Sequence, residues 1–428
     1  MKKVLIITYY WPPSGGAGVQ RWLKFVKYLP QFGVQPIVLT VDPQYASYAQ
    51  KDPSLLNEVN RDTEIYRTKS FELYRFYSWF SKKKEIPYGG FANETKPGLF
   101  QKISRFVRGN LLLPDPRKGW NKHAYRKALE IIQNHSVDTV ITTGPPHSTH
   151  LIGLKLQKKT NVQWIADFRD PWTDIYYYRQ FYHTALARKA DLRMEREVLE
   201  KADRLITVSK ALMRLLNLKT RQNIQPKTTV LPNGFDEDDF KGKTGTRQDK
   251  FTITYTGTIS ETYDISGFFE ALRKLDKTET AKMKIRFVGK VPAAIPERIK
   301  NEFPELEQEL TGYVDHQKSV EYLLCSSVLL LIIPKVENNE GILTGKFFEY
   351  LAARKPVLAI GPLNGDLAGI IGETGCGQLF GYSDSDGISR FIKNRLASAI
   401  NPEPRNIDRY SRRGLTEQLS KILISEEK

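Results

Sequence analysis

Short β-branched runs, each followed by an amphipathic stretch, succeed one another along this chain, break off once at a polar interval, and begin again. A strand that feeds a helix and then a further strand builds parallel sheets covered by helices, because a parallel partner is reached only by crossing over the sheet. In the first half the pattern predicts strands at Val4 to Thr8, Pro36 to Val41, Thr139 to Thr143, Val162 to Asp167, Leu205 to Val208 and Thr229 to Leu231. Pro232-Asn233-Gly234 marks a turn, and the polar, glycine-bearing stretch after it predicts a linker over 236–249. Strands then resume at Phe251 to Tyr255, Lys284 to Val288, Val328 to Ile333, Val357 to Ile360 and Gln378 to Phe380. A chain of 428 residues is too long for one ordinary core. The expected fold is therefore α/β, with two doubly wound Rossmann-like domains, 1–235 and 250–404, facing a central cleft. In such sheets ligands sit beyond the carboxyl ends of the strands, so the loops there are where chemistry is sought.

Composition narrows the function classes. A formal charge of +17 makes the surface attractive to phosphates, whether of nucleotides, nucleic acid or anionic lipid. The cations are spread along the whole chain and no zinc finger, RRM signature or basic zipper occurs, which argues against nucleic acid as the partner. The two cysteines, Cys325 and Cys376, lack metal-ligand spacing and suit a reducing compartment, so no metal site and a cytoplasmic location are expected. The apolar run Val4 to Ile7 is too short for a signal peptide, and Val328 to Ile333 is of strand length and does not span a bilayer.

After the first strand, Ser14-Gly15-Gly16-Ala17-Gly18 opens a helix at Val19-Gln20-Arg21-Trp22. Gly15, Gly16 and Gly18 let backbone approach a ligand closely at a positive helix end. The rival reading is a dinucleotide site, since Gly16 and Gly18 fit the first two positions of GxGxxG and Asp42 ends the second strand. Arg21 stands where the third glycine belongs, and Pro12-Pro13 lengthens the loop, both against that reading.

Beyond the apolar strand Val328 to Ile333, the stretch Glu340 to Ala353 is predicted to start a helix at Thr344 or Gly345. The free amides and dipole of that helix suit a diphosphate, Lys346 adds a full positive charge in the first turn, and Glu349 lies one turn on, where it suits a ribose. The alternative is an amphipathic helix with Phe347, Phe348 and Leu351 in the core and a surface pair of Lys346 and Glu349.

This segment resembles the donor-binding signature of family 4 glycosyltransferases. Other stretches agree with it in order: the Gly15 to Gly18 loop, Asp167-Phe168-Arg169-Asp170-Pro171-Trp172, Leu231-Pro232-Asn233-Gly234-Phe235-Asp236, Tyr255-Thr256-Gly257 and Gly312-Tyr313-Val314. The resemblance implies a GT-B fold, a metal-independent and retaining sugar transfer without a cofactor beyond the nucleotide sugar, and a bacterial cell-surface glycan as product. It also implies a donor site at Gly257, Thr258, Glu340, Thr344, Gly345, Lys346 and Glu349. A final helix, about Arg409 to Ser425 within 405–428, is expected to pack back on the N-terminal domain. Two departures stand out. The family's paired glutamates usually stand one position closer than Glu340 and Glu349, so Glu349 transfers more firmly than Glu340. The Arg and Lys that usually follow the strand glycine are absent from Thr258 to Tyr263, and Lys346 is assigned that charge.

On the acceptor side, Asp167, Arg169 and Asp170 at a strand end are expected to emerge at the cleft, Arg169 toward the diphosphate and Asp170 toward an acceptor hydroxyl. A buried Arg-Asp pair is the structural alternative, foremost for Asp167. His147, in Gly144-Pro145-Pro146-His147, is a further candidate for catalysis, with capping or packing as its plainer use. Leu99, Phe100, Ile103, Phe106, Val107 and Leu111 recur at helical spacing among Lys102, Arg105 and Arg108, as in a helix at an anionic membrane surface or one packed on its own domain. The expected partners are a nucleotide-sugar donor and a glycan or lipid-linked acceptor, at the inner face of the cell membrane if the helix docks there. A GT-B-like nucleotide-sugar epimerase and a basic nucleic-acid or membrane binder are the alternatives.

Overall fold

Short apolar, β-branched runs without alternation, bounded by turn residues, form strands buried on both faces, and such runs supply the centre of each sheet. The computed structural model describes residues 1–48, 50–72, 98–246, 248–260, 262–398 and 403–425. Its chain divides into one unit of Met1–Pro232 with Arg412–Lys428 and a second of Asn233–Ser411.

The first unit holds, among the described residues, a seven-stranded parallel sheet in the order β3-β2-β1-β4-β5-β6-β7. Its strands are β1 (Lys2–Ile7), β2 (Val34–Val41), β3 (Glu64–Thr68), β4 (Thr139–Gly144), β5 (Gln163–Phe168), β6 (Arg204–Thr207) and β7 (Thr228–Val230). Helices α1 (Ala17–Tyr28), α2 (Leu99–Leu111), α3 (Asn121–His135), α4 (His150–Lys159), α5 (Ala185–Lys201) and α6 (Lys210–Asn217) accompany it. Strand order reverses between β1 and β4, which pair with Val4 opposite Thr139. The loops after β1 and β4 therefore flank the switch point where doubly wound sheets take ligands.

The second unit repeats the plan with six parallel strands, in the order β10-β9-β8-β11-β12-β13. They are β8 (Phe251–Thr256), β9 (Met283–Val288), β10 (Glu307–Gly312), β11 (Val328–Ile332), β12 (Val357–Ile360) and β13 (Gly377–Phe380). The helices are α7 (Ser266–Arg273), α8 (Lys277–Ala281), α9 (Ala294–Glu302), α10 (His316–Leu324), α11 (Gly345–Ala352), α12 (Asp366–Thr374) and α13 (Ser385–Ala397). Here the reversal lies between β8 and β11, so the turn after Thr256 and the segment leading into α11 meet the same condition.

Two strands escaped the sequence pattern, and both are edges. β3 and β10 are half-exposed and carry alternating charge in place of an apolar run. The division between units also falls elsewhere than the polar stretch 236–249. Phe235 is buried among Phe347, Phe348 and Tyr410, and its amide donates to the Tyr410 carbonyl at 3.1 Å, so the chain belongs to the second unit from Asn233 on. On the way back, Ile407 and Tyr410 occupy a short 3-10 turn in the same core. The last helix, α14 (Arg412–Ile424), accordingly begins later than Arg409. It lays Leu415, Leu419 and Leu423 against Val19, Trp22 and Leu23 of α1 in the first unit.

Candidate functional site

In the second unit, Phe347, Phe348, Tyr350 and Leu351 bury one face of α11. Tyr350 fixes its position: the phenol accepts the Thr256 amide at 2.9 Å and donates to the Leu330 carbonyl at 3.3 Å, binding the helix to the end of β8 and the middle of β11. Thr344 is the N-cap residue, yet its hydroxyl makes no capping bond and is buried without a partner. The amides of Gly345 and Lys346 have no intrahelical carbonyl to reach. A side chain added at Gly345 would meet nothing within 4 Å, so space lies open in front of the helix start.

Lys346 leans over that start. Its Nζ donates to the Tyr255 hydroxyl at 2.7 Å and sits 4.3 Å from the Tyr255 ring centre, while Tyr255 donates to the Thr258 carbonyl at 3.1 Å. Gly257 has φ of 98°, and a Cβ there would stand 3.1 Å from the same Nζ. Glycine thus supplies both the left-handed backbone and the room the ammonium occupies. Burial pulls the Lys346 pKa down to about 8, with Glu349 opposing, so the full charge read from sequence is a conditional one.

Glu349 lies one turn on, 3.3 Å from Nε2 of His316 at the start of α10. The surface pair of Lys346 and Glu349 does not form; their partners are Tyr255 and His316. Glu340 stands apart, in a 3-10 turn whose backbone packs on Gly365.

In the first unit the structure separates two acids that adjoin in sequence. Asp167, expected to emerge at the strand end, is wholly buried. It accepts from Arg21 Nη2 at 2.9 Å and Nε at 3.3 Å, Trp22 Nε1 at 2.7 Å and Thr143 at 2.9 Å, and Arg21 also donates to the Leu231 and Pro232 carbonyls. Four donors on one carboxylate and three acceptors on one guanidinium make this a tie between β5, α1 and β7, not a reacting group.

Arg169 and Asp170 are half-buried beyond it. Arg169 donates to the carbonyls of Gly144 and Pro145 at 3.2 and 3.0 Å, and a Cβ on Gly18 would come within 2.9 Å of its Nη1. The glycine loop therefore passes close to this guanidinium. Gly16, with φ of 91°, precedes the first residue of α1, and Gly15 donates its amide to Gln50. Burial raises the Asp170 pKa against the pull of Arg169. His147 stacks on Trp172 with centroids 5.0 Å apart and planes 8° from parallel. Burial and the neighbouring His150 and Arg169 drive its pKa well below the ordinary range, so the imidazole is neutral and packed.

Comparison with protein families finds the Glycosyltransferase Family 4 model over residues 89–239 and the model of glycosyl transferases group 1 over 236–414. The chain belongs to the family 4-like glycosyltransferases. Its fold is the GT-B arrangement of two Rossmann-like domains. HepE from Anabaena, solved with UDP-glucose, matches with a TM-score of 0.58 and 12% identity over 99% of both chains. TarM from S. aureus, solved with UDP and alpha-GlcNAc-glycerol, matches with 0.54 and 12% identity over 100% of this chain and 97% of its own. A UDP-N-acetylglucosamine 2-epimerase from Listeria monocytogenes, named as putative, matches with 0.51 and 16% identity over 99% and 95%. At such identities the likeness concerns the fold alone. Comparison with curated proteins returns no significant match.

Two parts of this glycosyltransferase's candidate site were not read from its sequence. His316 is 33 positions from the Glu349 it adjoins, and no local spacing announces the pair. Lys290 follows Gly289, whose backbone approaches the Gly257 carbonyl so closely that a Cβ would lie 2.4 Å from it. The Lys290 carbonyl accepts from Ile259 at 2.9 Å, placing a further exposed cation beside the Gly257 turn.

Proposed function

We propose that this glycosyltransferase moves a sugar from a nucleoside-diphosphate donor to a glycan or lipid-linked acceptor with retention at the anomeric carbon. The observation that carries the donor half is the convergence, at the switch point of the second sheet, of the free amides of Gly345 and Lys346, the Lys346 ammonium and the open turn at Gly257. Such a group is suited to a diphosphate, which takes hydrogen bonds from amides and charge from the lysine. Glu349, one turn on, is placed to accept from ribose hydroxyls, with His316 orienting it.

The charge that develops on the leaving diphosphate as the sugar–oxygen bond breaks is met by the same donors, preorganised before reaction. The acceptor oxygen forms the new bond to the anomeric carbon, and its proton passes to the departing phosphate oxygen. This leaves no need for a protein base, in keeping with His147, which its lowered pKa makes a weak base and which is stacked on Trp172. Asp170, with Arg169 beside it, is assigned to an acceptor hydroxyl. No cofactor beyond the nucleotide sugar enters the scheme. HepE and TarM, solved with UDP-glucose and with UDP, support a nucleotide donor.

A thermal-shift panel with UDP, GDP, ADP and dTDP sugars tests the donor half, because a ligand that binds only the folded state raises its melting temperature. One nucleotide should stabilise the wild type and fail to stabilise Glu349→Ala. If none of the four does, the reading is wrong. Incubating the stabilising sugar without acceptor separates transfer from epimerisation, since only an epimerase converts it unaided.

A further inference from the structure

Helix α2 is packed inside out. A helix on a globular domain normally turns its apolar stripe to the core. Here the packed side carries Arg105, buried, and Gly109, where a Cβ would stand 2.2 Å from the Phe181 carbonyl. The Arg108 guanidinium lies 4.0 Å from the centre of the Phe181 ring, and Asn110 exchanges bonds with the Tyr182 carbonyl and the Thr184 amide. Ile103, Phe106, Val107 and Leu111, at helical spacing, face solvent instead, at 54, 46, 37 and 68% exposure. Tyr182, joined to α2 through Asn110, and Leu186 add two more exposed apolar side chains, Leu186 at 81%.

Charge selects the occupant. Neither 98–114 nor 175–190 contains an aspartate or glutamate, while Lys102, Arg179, Arg188 and Lys189 fall within them and are exposed. An apolar stripe set among cations alone suits a surface that is apolar beneath and anionic above. A second copy of this chain would bring the same cations against themselves. No helix among the described residues is long and apolar enough to cross a membrane, and α2 has 13 residues.

We propose that α2, with Tyr182 and Leu186, docks on the surface of an anionic lipid bilayer. The stripe enters the boundary between headgroups and acyl chains, and the flanking lysines and arginines meet lipid phosphates. The face stands on the loop that leaves Asp170: Gly109 of α2 packs against the Phe181 carbonyl, and Asn110 bonds to Tyr182. Docking would therefore bring a lipid-linked acceptor toward Asp170. That last step rests on the proposed transfer reaction; the docking itself does not.

Flotation of the full chain with vesicles, without donor or acceptor, tests it. Vesicles of phosphatidylcholine with phosphatidylglycerol should carry the protein at low salt and release it as the screening length contracts, whereas phosphatidylcholine alone should not carry it. Phe106→Ser with Leu111→Ser should lower the bound fraction by a factor on the order of ten or more, since both side chains lose the apolar surface they would bury at the headgroup boundary. Both residues are exposed, and an unchanged melting temperature and nucleotide-induced shift would show the variant folded and its donor site intact. The proposal falls if the wild type ignores anionic vesicles, if the double variant floats equally well, or if the wild type sediments as a dimer that the substitutions split.

Discussion

Replacing Lys346 by Met should make the protein more stable and nearly unable to hold its donor. The ammonium has a phenol and a ring face for partners, and among the described residues it has no ion pair. Holding it there pulls its pKa from 10.5 to about 8. That difference corresponds to roughly 3 kcal/mol of preference for the neutral form. The residue is partly exposed, so about 1–2 kcal/mol is a fair share to recover on substitution. Met keeps the stem's packing and removes the charge. Against this, one unit charge about 4 Å from a phosphate oxygen, at an effective dielectric near 20, contributes about 4 kcal/mol. After competition with solvent, a loss of about two powers of ten in donor affinity is expected.

The pH dependence carries an independent sign. Between about 8 and 10.5 the folded protein has released this proton while the unfolded chain retains it, so the unfolded state binds more protons and stability rises with pH across that window. The Met variant lacks that rise. Donor affinity moves the other way: it needs the ammonium, so it weakens as pH climbs above about 8. Calorimetric titration of the stabilising nucleotide at several pH values, with urea unfolding alongside, reads both. A Met variant that binds within about threefold of wild type, or a wild-type affinity flat through this range, refutes the assignment.

Four further outcomes follow from the geometry. Gly257→Ala strains a backbone at φ of 98° and puts a methyl 3.1 Å from Lys346 Nζ. It should cost about 1–2 kcal/mol in stability and abolish the nucleotide-induced thermal shift. Asp167→Asn leaves Arg21 buried without its counter-charge and should cost about 3–5 kcal/mol in urea unfolding, a loss that Arg21→Met with Asp167→Leu should partly repair. Burial raises Glu195 from 4.5 to about 7, so the stability tied to its protonated form is present below about 4.5 and lost as pH rises through about 7. Glu195→Gln should therefore gain on wild type in unfolding assays as pH goes from 5 to 8. His147→Asn should leave the shape of the pH–rate profile between pH 5 and 8 unchanged, because the imidazole is already neutral there; disappearance of a limb would contradict this.

Legibility in the sequence followed the apolar and β-branched pattern, which charged edge strands lack. β1, β4, β5, β8, β11 and β12 run through the middle of their sheets, and their apolar runs cannot be read otherwise. The edges β3 and β10 were invisible because half-exposed strands carry charges that a loop would also carry. The site divides along the same line. The start of α11 could be read because a glycine before an aromatic-rich amphipathic run announces a helix terminus. The partners of its side chains could not. Lys346 meets Tyr255 across 91 positions, and Arg21 meets Asp167 across 146, distances over which local spacing carries no information. Asp167 and Asp170 look equivalent in sequence, three positions apart on one strand end. Only the packing of Arg21, Trp22 and Thr143 around the first shows that its oxygens are already taken.

That contrast is the strongest physical reason to place the ligand where we do. Arg21 and Lys346 both stand near sheet ends, and they are treated oppositely. Arg21 is fully buried, but a carboxylate and two carbonyls satisfy it, so its position is explained by the fold alone. Lys346 is surrounded by rings and a single phenol, with free amides and an unpartnered Thr344 hydroxyl beside it. A fold that needed only a tie between α11 and β8 already has one in Tyr350, whose hydroxyl joins both at no electrostatic cost. The lysine's bond to Tyr255 repeats a tie that Tyr350 already makes, and it carries a desolvation penalty. A half-buried positive charge without a counter-ion among the described residues is an arrangement that makes sense when an anion arrives to complete it.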